Sequence, residues 1–162
     1  MKIFWIFIVS LFAALSSVIC DSTVYAREKE DGDRGSVRYT THIMPIFEKR
    51  CIMCHGADSP DHKEFSKNRQ KYASMFRGPR MDSYTYMTSF VVWPDTGAIM
   101  RRLDDGRNTR DGKPGNMYQY LGDTEEERKK NLSIFKEWID YWTLKRWSGI
   151  TKKELDKIKV EY

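Results

Sequence analysis

Two thiols and an imidazole are packed into five residues, Cys51-Ile52-Met53-Cys54-His55. One turn of backbone has to present all three groups together, which restricts the local fold more than any other stretch of the chain. Three chemistries use a C-x-x-C pair: dithiol redox exchange, a structural metal site and covalent attachment of haem. The histidine directly after the second cysteine selects the third. Each thiol can form a thioether with one vinyl group, and the adjacent ring then sits under the macrocycle where it can bind the iron. A thioredoxin-like dithiol belongs at a helix start after a strand, whereas this motif ends an expected helix and no βαβ pattern surrounds it. A zinc site needs further ligands, and the only other histidines are His42 and His62.

The N-terminus points to export. Lys2 supplies a short positive region, Ile3 to Ile19 is almost wholly apolar, and Val24-Tyr25-Ala26 places small residues where a signal peptidase cuts. Residues 1–26 therefore read as a signal peptide cleaved after Ala26. An uncleaved N-terminal membrane anchor is the alternative, because the apolar run is at the short limit for a spanning helix. Cys20 lacks the small residue usual before a lipidated cysteine, which disfavours lipid attachment. Cleavage would leave only Cys51 and Cys54 of the three cysteines, both used by the motif, with no disulfide framework remaining. Covalent haem is attached outside the energy-coupling membrane, so a periplasmic or otherwise exported location is expected.

The formal charge is +5, and residues 1–26 carry only Lys2 and Asp21, so the mature chain would keep it. A basic surface steers towards an acidic redox partner or an anionic membrane face. The basic residues are interleaved with acids and no nucleic-acid motif is present, which excludes that class of partner. Aromatic residues make up 14% of the chain, suiting a core that packs on a flat macrocycle.

Residues 27–38 are polar and Gly-containing and read as a flexible lead. A helix is expected over 41–50, capped by Thr41 with Pro45 in its first turn, running straight into the motif. Weaker helical spacing covers 61–76, ended by Gly78-Pro79, and 82–91 after Asp82 or Ser83. A further helix is expected over 96–103, followed by a loop over 104–116. The clearest expectation is a helix over 125–142, with Thr124 and Glu127 as a capping box and Leu132, Phe135, Ile139 and Trp142 on one stripe. Thr151 and Glu154 repeat the capping pattern within the basic extension 143–162. No alternating strand pattern occurs, so the fold class is all-α.

An exported chain whose first helix runs into Cys51-Ile52-Met53-Cys54-His55-Gly56 resembles a class I monohaem cytochrome c of the bacterial exported type. Pro45-Ile46-Phe47, Arg80-Met81-Asp82-Ser83 and Gly97 to Leu103 are similar to segments of such domains, and the resemblance covers about residues 39–142. It implies helix 41–50 packed against helix 125–142 over one haem c, held covalently by Cys51 and Cys54 with His55 as proximal ligand. It also implies a second axial ligand, usually Met, on a loop before the last helix. Met117 is the nearest match and Met100 the runner-up. Met75, Met81 and Met87 are outsiders, and His42 and His62 are poorly aimed. Trp93, Trp138 and Trp142 are candidate pocket walls.

With His and Met on the iron, the implied function is carriage of single electrons between a donor and an acceptor redox protein, with no catalytic residues. Association with a membrane complex is a further expectation. The rival readings are a haem enzyme or gas sensor with five-coordinate iron, and a C-x-x-C thiol–disulfide oxidoreductase.

Overall fold

A computed structural model describes residues 36–162 of the chain. The apolar leader, Cys20, the cleavage site after Ala26 and the first part of the lead lie outside the described residues. Within them no strand forms, and the only ladder-like pairing is an isolated antiparallel bridge between Asp140 and Ile158. The fold of these residues is all-α, as expected.

The first helical stretch begins earlier than Thr41. A π-turn spans Tyr39–Ile43 and continues as α1, Met44–Arg50, with Pro45 in its first turn where a missing N–H costs nothing. Thr41 does not cap it. Its hydroxyl pairs with Nδ1 of His42, and the same nitrogen accepts the Arg38 backbone N–H at 3.1 Å. His42 is therefore occupied at the helix start. The motif turn follows as α2, Ile52–His55.

The expected helix over 61–76 splits into α3, His62–Lys67, and α4, Arg69–Ser74. Asn68 causes the break: its side chain donates to Glu64 at 2.9 Å while its backbone leaves helical geometry. Two short helices follow, α5 (Tyr84–Thr88), capped by Ser83, and α6 (Ala98–Leu103).

The long helix α7 spans Glu125–Ile139 and buries Leu132, Phe135, Trp138 and Ile139. Burial of each such side chain contributes about 1.5–3 kcal/mol. Thr124 accepts from the Glu127 backbone N–H, but the reciprocal half of the expected box is absent. The Glu127 carboxylate instead takes the backbone N–H of Asp123 at 3.0 Å and the guanidinium of Arg50. The helix stops three residues short of Trp142 because Asp140 turns left-handed, with φ 62°, to meet Ile158.

The first stretch and α7 run antiparallel, touching at both ends. Tyr39 lies 6.0 Å from Trp138 between ring centres at one end. At the other, Arg50 grips Asp123 with both terminal nitrogens, at 2.8 and 3.0 Å. The expected pairing of these helices is thus present.

Residues 143–162 are built into this pair. After α8, Lys152–Leu155, the chain turns back along α7. Lys159 N donates to the Ile139 carbonyl at 3.0 Å, and the Glu161 carbonyl accepts from both Tyr39 N and Trp138 Nε1 at 2.8 Å. Tyr162 stacks on Tyr39 and meets Tyr84 edge-on. Much of the basic charge is spent internally, with Lys145 on Glu154, Lys152 on Asp156 and Lys159 on Asp140.

Deleting residues 159–162 removes these bonds and the aromatic stack. It should lower Tm by on the order of 10 °C in thermal unfolding followed by circular dichroism. A second expectation concerns acid. Hydrogen bonds from Arg50, the Asp123 backbone and Lys49 hold the Glu127 carboxyl down at about 2, against an ordinary value of 4.5. A depressed carboxylate stabilises the fold fully above its unfolded pKa, and that stabilisation is lost as pH falls towards the folded one. Glu127→Gln should therefore flatten the decline in stability between about pH 4.5 and 2, measured by denaturant unfolding at each pH.

Candidate functional site

The motif turn puts Cys51, Cys54 and His55 on one arc of helix, at positions i, i+3 and i+4, with Ile52 and Met53 facing away. Met53 is 83% exposed. The turn is tightened by Cys54 N and His55 N, which both donate to the Cys51 carbonyl at 3.1 and 3.0 Å.

A second segment, 77–81, fastens the turn from outside. Gly78 N donates to the Cys54 carbonyl at 2.8 Å, Met81 N to the His55 carbonyl at 2.9 Å, and the Arg77 guanidinium to the Met53 carbonyl at 3.0 Å. The contact that matters most chemically is from His55. Its Nδ1 lies 2.7 Å from the Pro79 carbonyl oxygen. A carbonyl only accepts, so Nδ1 carries the proton and the Nε2 lone pair is left for a metal. Burial pushes the His55 pKa down, partly opposed by the Pro79 bond, a shift that favours the neutral ring a metal needs.

Gly78 makes this approach possible. A Cβ there would fall 2.1 Å from Cε1 of His55. The segment lies flat against the ring because residue 78 has no side chain. Only the helix-ending property of Gly78-Pro79 was legible in the sequence; that the proline carbonyl would orient the histidine was not.

The two thiols are free. Burial, with Cys54 alongside, pushes the Cys51 thiol up to about 11 against the pull of Arg50. A nucleophilic thiol needs the opposite shift, so Cys51 is poorly made for disulfide exchange. Among the described residues no group of three or more His, Cys, Asp and Glu could hold a metal ion. The donor set fits haem: two thiols on one face of a turn, and between them and segment 77–81 an imidazole whose Nδ1 is occupied and whose Nε2 is left for the iron.

Met117 stands on the far side of the sequence, in the loop before α7. It is partly buried against the core, and its backbone N–H donates to the Arg102 carbonyl at 2.9 Å. Two residues earlier, Gly115 N donates to the Asp104 carbonyl at 2.8 Å, and a Cβ on Gly115 would be 2.4 Å from the carbonyl oxygens of Arg101 and Arg102. The loop is therefore seated on the C-terminal end of α6. The 3₁₀ turn Tyr118–Leu121 that follows Met117 packs against α1, α6 and α7, so the loop and the motif flank the same helix.

Met100 is placed differently. It is fully buried, and its sulfur accepts the Thr143 backbone N–H at 3.1 Å. Met87 is also core, while Met75 is 57% exposed. Met81 is bonded beside His55 through its backbone. His62 pairs with Asp95 at 3.9 Å and rests on Phe90. Of the three tryptophans expected as pocket walls, Trp138 is core and Trp93 exposed. Trp142 donates through Nε1 to Asp104 at 2.8 Å.

Asp104 is the residue that sequence reasoning missed. It is fully buried, yet in the sequence it stood only as the first residue of the loop expected over 104–116. Oδ1 accepts from Gly106 N at 2.9 Å and Asn108 N at 3.1 Å, while Oδ2 accepts from Asn108 Nδ2 at 2.8 Å and from Trp142. Burial alone would raise its pKa, but the bonds from Asn108, Trp142 and Gly106 outweigh that and hold it below the usual carboxylate value. The available signal was an Asp two residues before a Gly and four before an Asn, a pattern suited to a side chain that organises its own turn.

One substitution tests the proximal geometry. Gly78→Ala drives a methyl into the His55 ring and should cut the yield of covalently loaded protein several-fold, read by pyridine haemochrome absorbance on purified material. An unchanged yield and spectrum would show that segment 77–81 does not orient the ring.

Comparison with known proteins identifies the family. A family model described as PccH cytochrome c matches residues 38–162, a span that includes the basic C-terminal stretch. A solved structure of the monohaem cytochrome PccH from Geobacter sulfurreducens is 51% identical, covers 79% of this chain and all of its own, and superposes with a TM-score of 0.74. No curated protein matches the chain. The turn carrying Cys51, Cys54 and His55 thus lies in a haem-based electron carrier with one covalent haem c, and the chain belongs to the PccH cytochrome c family.

Proposed function

We propose that this protein is a periplasmic monohaem cytochrome that passes single electrons between two redox proteins through an iron ligated by His55 and Met117. Bound haem would supply the one-electron couple. Cys51 and Cys54 would tether it, and His55 Nε2 would ligate the iron with its ring held by Pro79. The observation that carries the reading is the His55 Nδ1 contact with the Pro79 carbonyl at 2.7 Å, the second-sphere bond that fixes a ligating imidazole.

Met117 is favoured as sixth ligand by elimination and by placement. The Met100 sulfur is committed to Thr143, and His42 Nδ1 accepts the Arg38 N–H at the helix start. Met117 alone lies on a loop anchored between the end of α6 and the start of α7. A neutral thioether favours ferrous iron and raises the potential relative to bis-His ligation. Export is supported by the leader sequence, which ends in Val24-Tyr25-Ala26. The mature surface keeps a basic balance that would steer an acidic partner.

The test is spectroscopic. Matured with its haem, the wild type should be low-spin in both oxidation states and bind carbon monoxide poorly when reduced. Met117→Ala should turn the ferrous form high-spin and readily carbonylated, and shift the midpoint potential. A wild type that is already high-spin and binds carbon monoxide would favour the five-coordinate enzyme or sensor instead.

A further inference from the structure

We infer that Asp104 is the positioning residue for the sixth ligand: its buried carboxylate, held by Trp142 and Asn108, clamps the loop that carries Met117 and so sets how easily that sulfur leaves the iron. The inference rests on the reading of Met117 as ligand.

Both ends of loop 104–117 are anchored at one place. At the start, the Asp104 carboxylate takes four donors, three from Gly106 and Asn108 within the loop and one from the Trp142 indole. At the end, the Asp104 carbonyl takes the Gly115 N–H, and the Arg102 carbonyl takes the Met117 N–H. Arg102 also holds Asn116 through its guanidinium at 2.8 Å. One buried residue therefore folds the first turn of the loop with its side chain and pins the last turn with its backbone.

The Trp142 contact ties this clamp to the long helix. Trp142 lies three residues beyond Ile139, outside α7, because the chain turns at Asp140. Its ring is covered by the Lys136 ammonium at 5.5 Å. The Met100 sulfur accepts from the neighbouring Thr143, so residues 142–143 are stitched to α6 at two points. All four donors to the Asp104 carboxylate, two backbone and two side-chain, are neutral, and bonds to an ionised acceptor are about twice as strong as neutral ones. Replacing the carboxylate with an amide would turn a donor group towards Trp142 Nε1 and Asn108 Nδ2, which themselves donate.

The consequence is a local equilibrium. With the clamp intact, the Met117-on state dominates and an added ligand must wait for the open state, so its apparent affinity is reduced by the open fraction. Weakening the clamp raises that fraction without altering the iron or His55.

The experiment is titration of the ferric holoprotein with imidazole, followed optically, in wild type, Asp104→Asn, Trp142→Phe, Met117→Ala and the Asp104→Asn/Met117→Ala double variant. Asp104→Asn should bind imidazole about tenfold more tightly than wild type, with Trp142→Phe changed in the same direction by a smaller factor. Met117→Ala should bind most tightly, and adding Asp104→Asn to it should change nothing, because the clamp acts only through the sulfur. Equal tightening by Asp104→Asn with and without Met117 would overturn the inference, as would no tightening in either clamp variant. If Asp104→Asn yields no folded protein, Trp142→Phe with and without Met117→Ala makes the same comparison. If Met117→Ala binds imidazole no better than wild type, the ligand assignment itself falls and the clamp with it. If Met117→Ala tightens binding and the clamp variants do not, only the clamp falls.

Discussion

The hydrogen bond between His55 and the Pro79 carbonyl is the contact on which the functional geometry depends. An imidazole has two nitrogens, and a metal can take either. Committing Nδ1 to a backbone acceptor leaves only Nε2 for iron and fixes the plane of the ring. The acceptor is main chain, so it is held by everything that holds segment 77–81, including the bonds from Gly78 to Cys54 and from Met81 to His55. The motif turn and its strap orient each other, and a glycine at 78 is what lets them close.

Around that unit the frame is a pair of antiparallel helices whose contacts differ at the two ends. Where α1 ends, Arg50 binds two carboxylates at the start of α7, a place where negative charge is already favoured. Where α7 ends, the contact is aromatic and is closed by the last residues of the chain, whose Glu161 carbonyl bridges Tyr39 and Trp138. The basic tail is thus structural over much of its length, with several of its lysines paired within the fold. The motif sits directly after Arg50, so the stiffness of this pair is passed to the thiols.

Much of this was legible in the residues. Periodicity located α7 and its buried face, and Thr124 marked its start, because an amphipathic helix and its cap are local properties. The segment after the motif was read less well. A single helix over 61–76 was expected, and Asn68 divides it by bonding to Glu64 instead of continuing the ladder. The end of α7 was overrun to Trp142 for a different reason. Nothing nearby in sequence stops that helix; residue 158 does, by pairing with Asp140. The C-terminal role of residues 159–162 was hidden likewise, since its partners lie at residues 39, 84 and 138.

By itself the sequence determined the cofactor chemistry and the helical class, because thiol spacing, an adjacent imidazole and a 3.6-residue period are encoded within a few residues of each other. Only the tertiary structure decided which nitrogen of His55 is left for a metal, that Met100 belongs to the core while Met117 is carried on an anchored loop, and that Asp104 is buried among four donors. Each of those depends on groups brought together from distant parts of the chain. A carbonyl at 79, an N–H at 143 and an indole at 142 carry no mark in the sequence of the atoms they will meet.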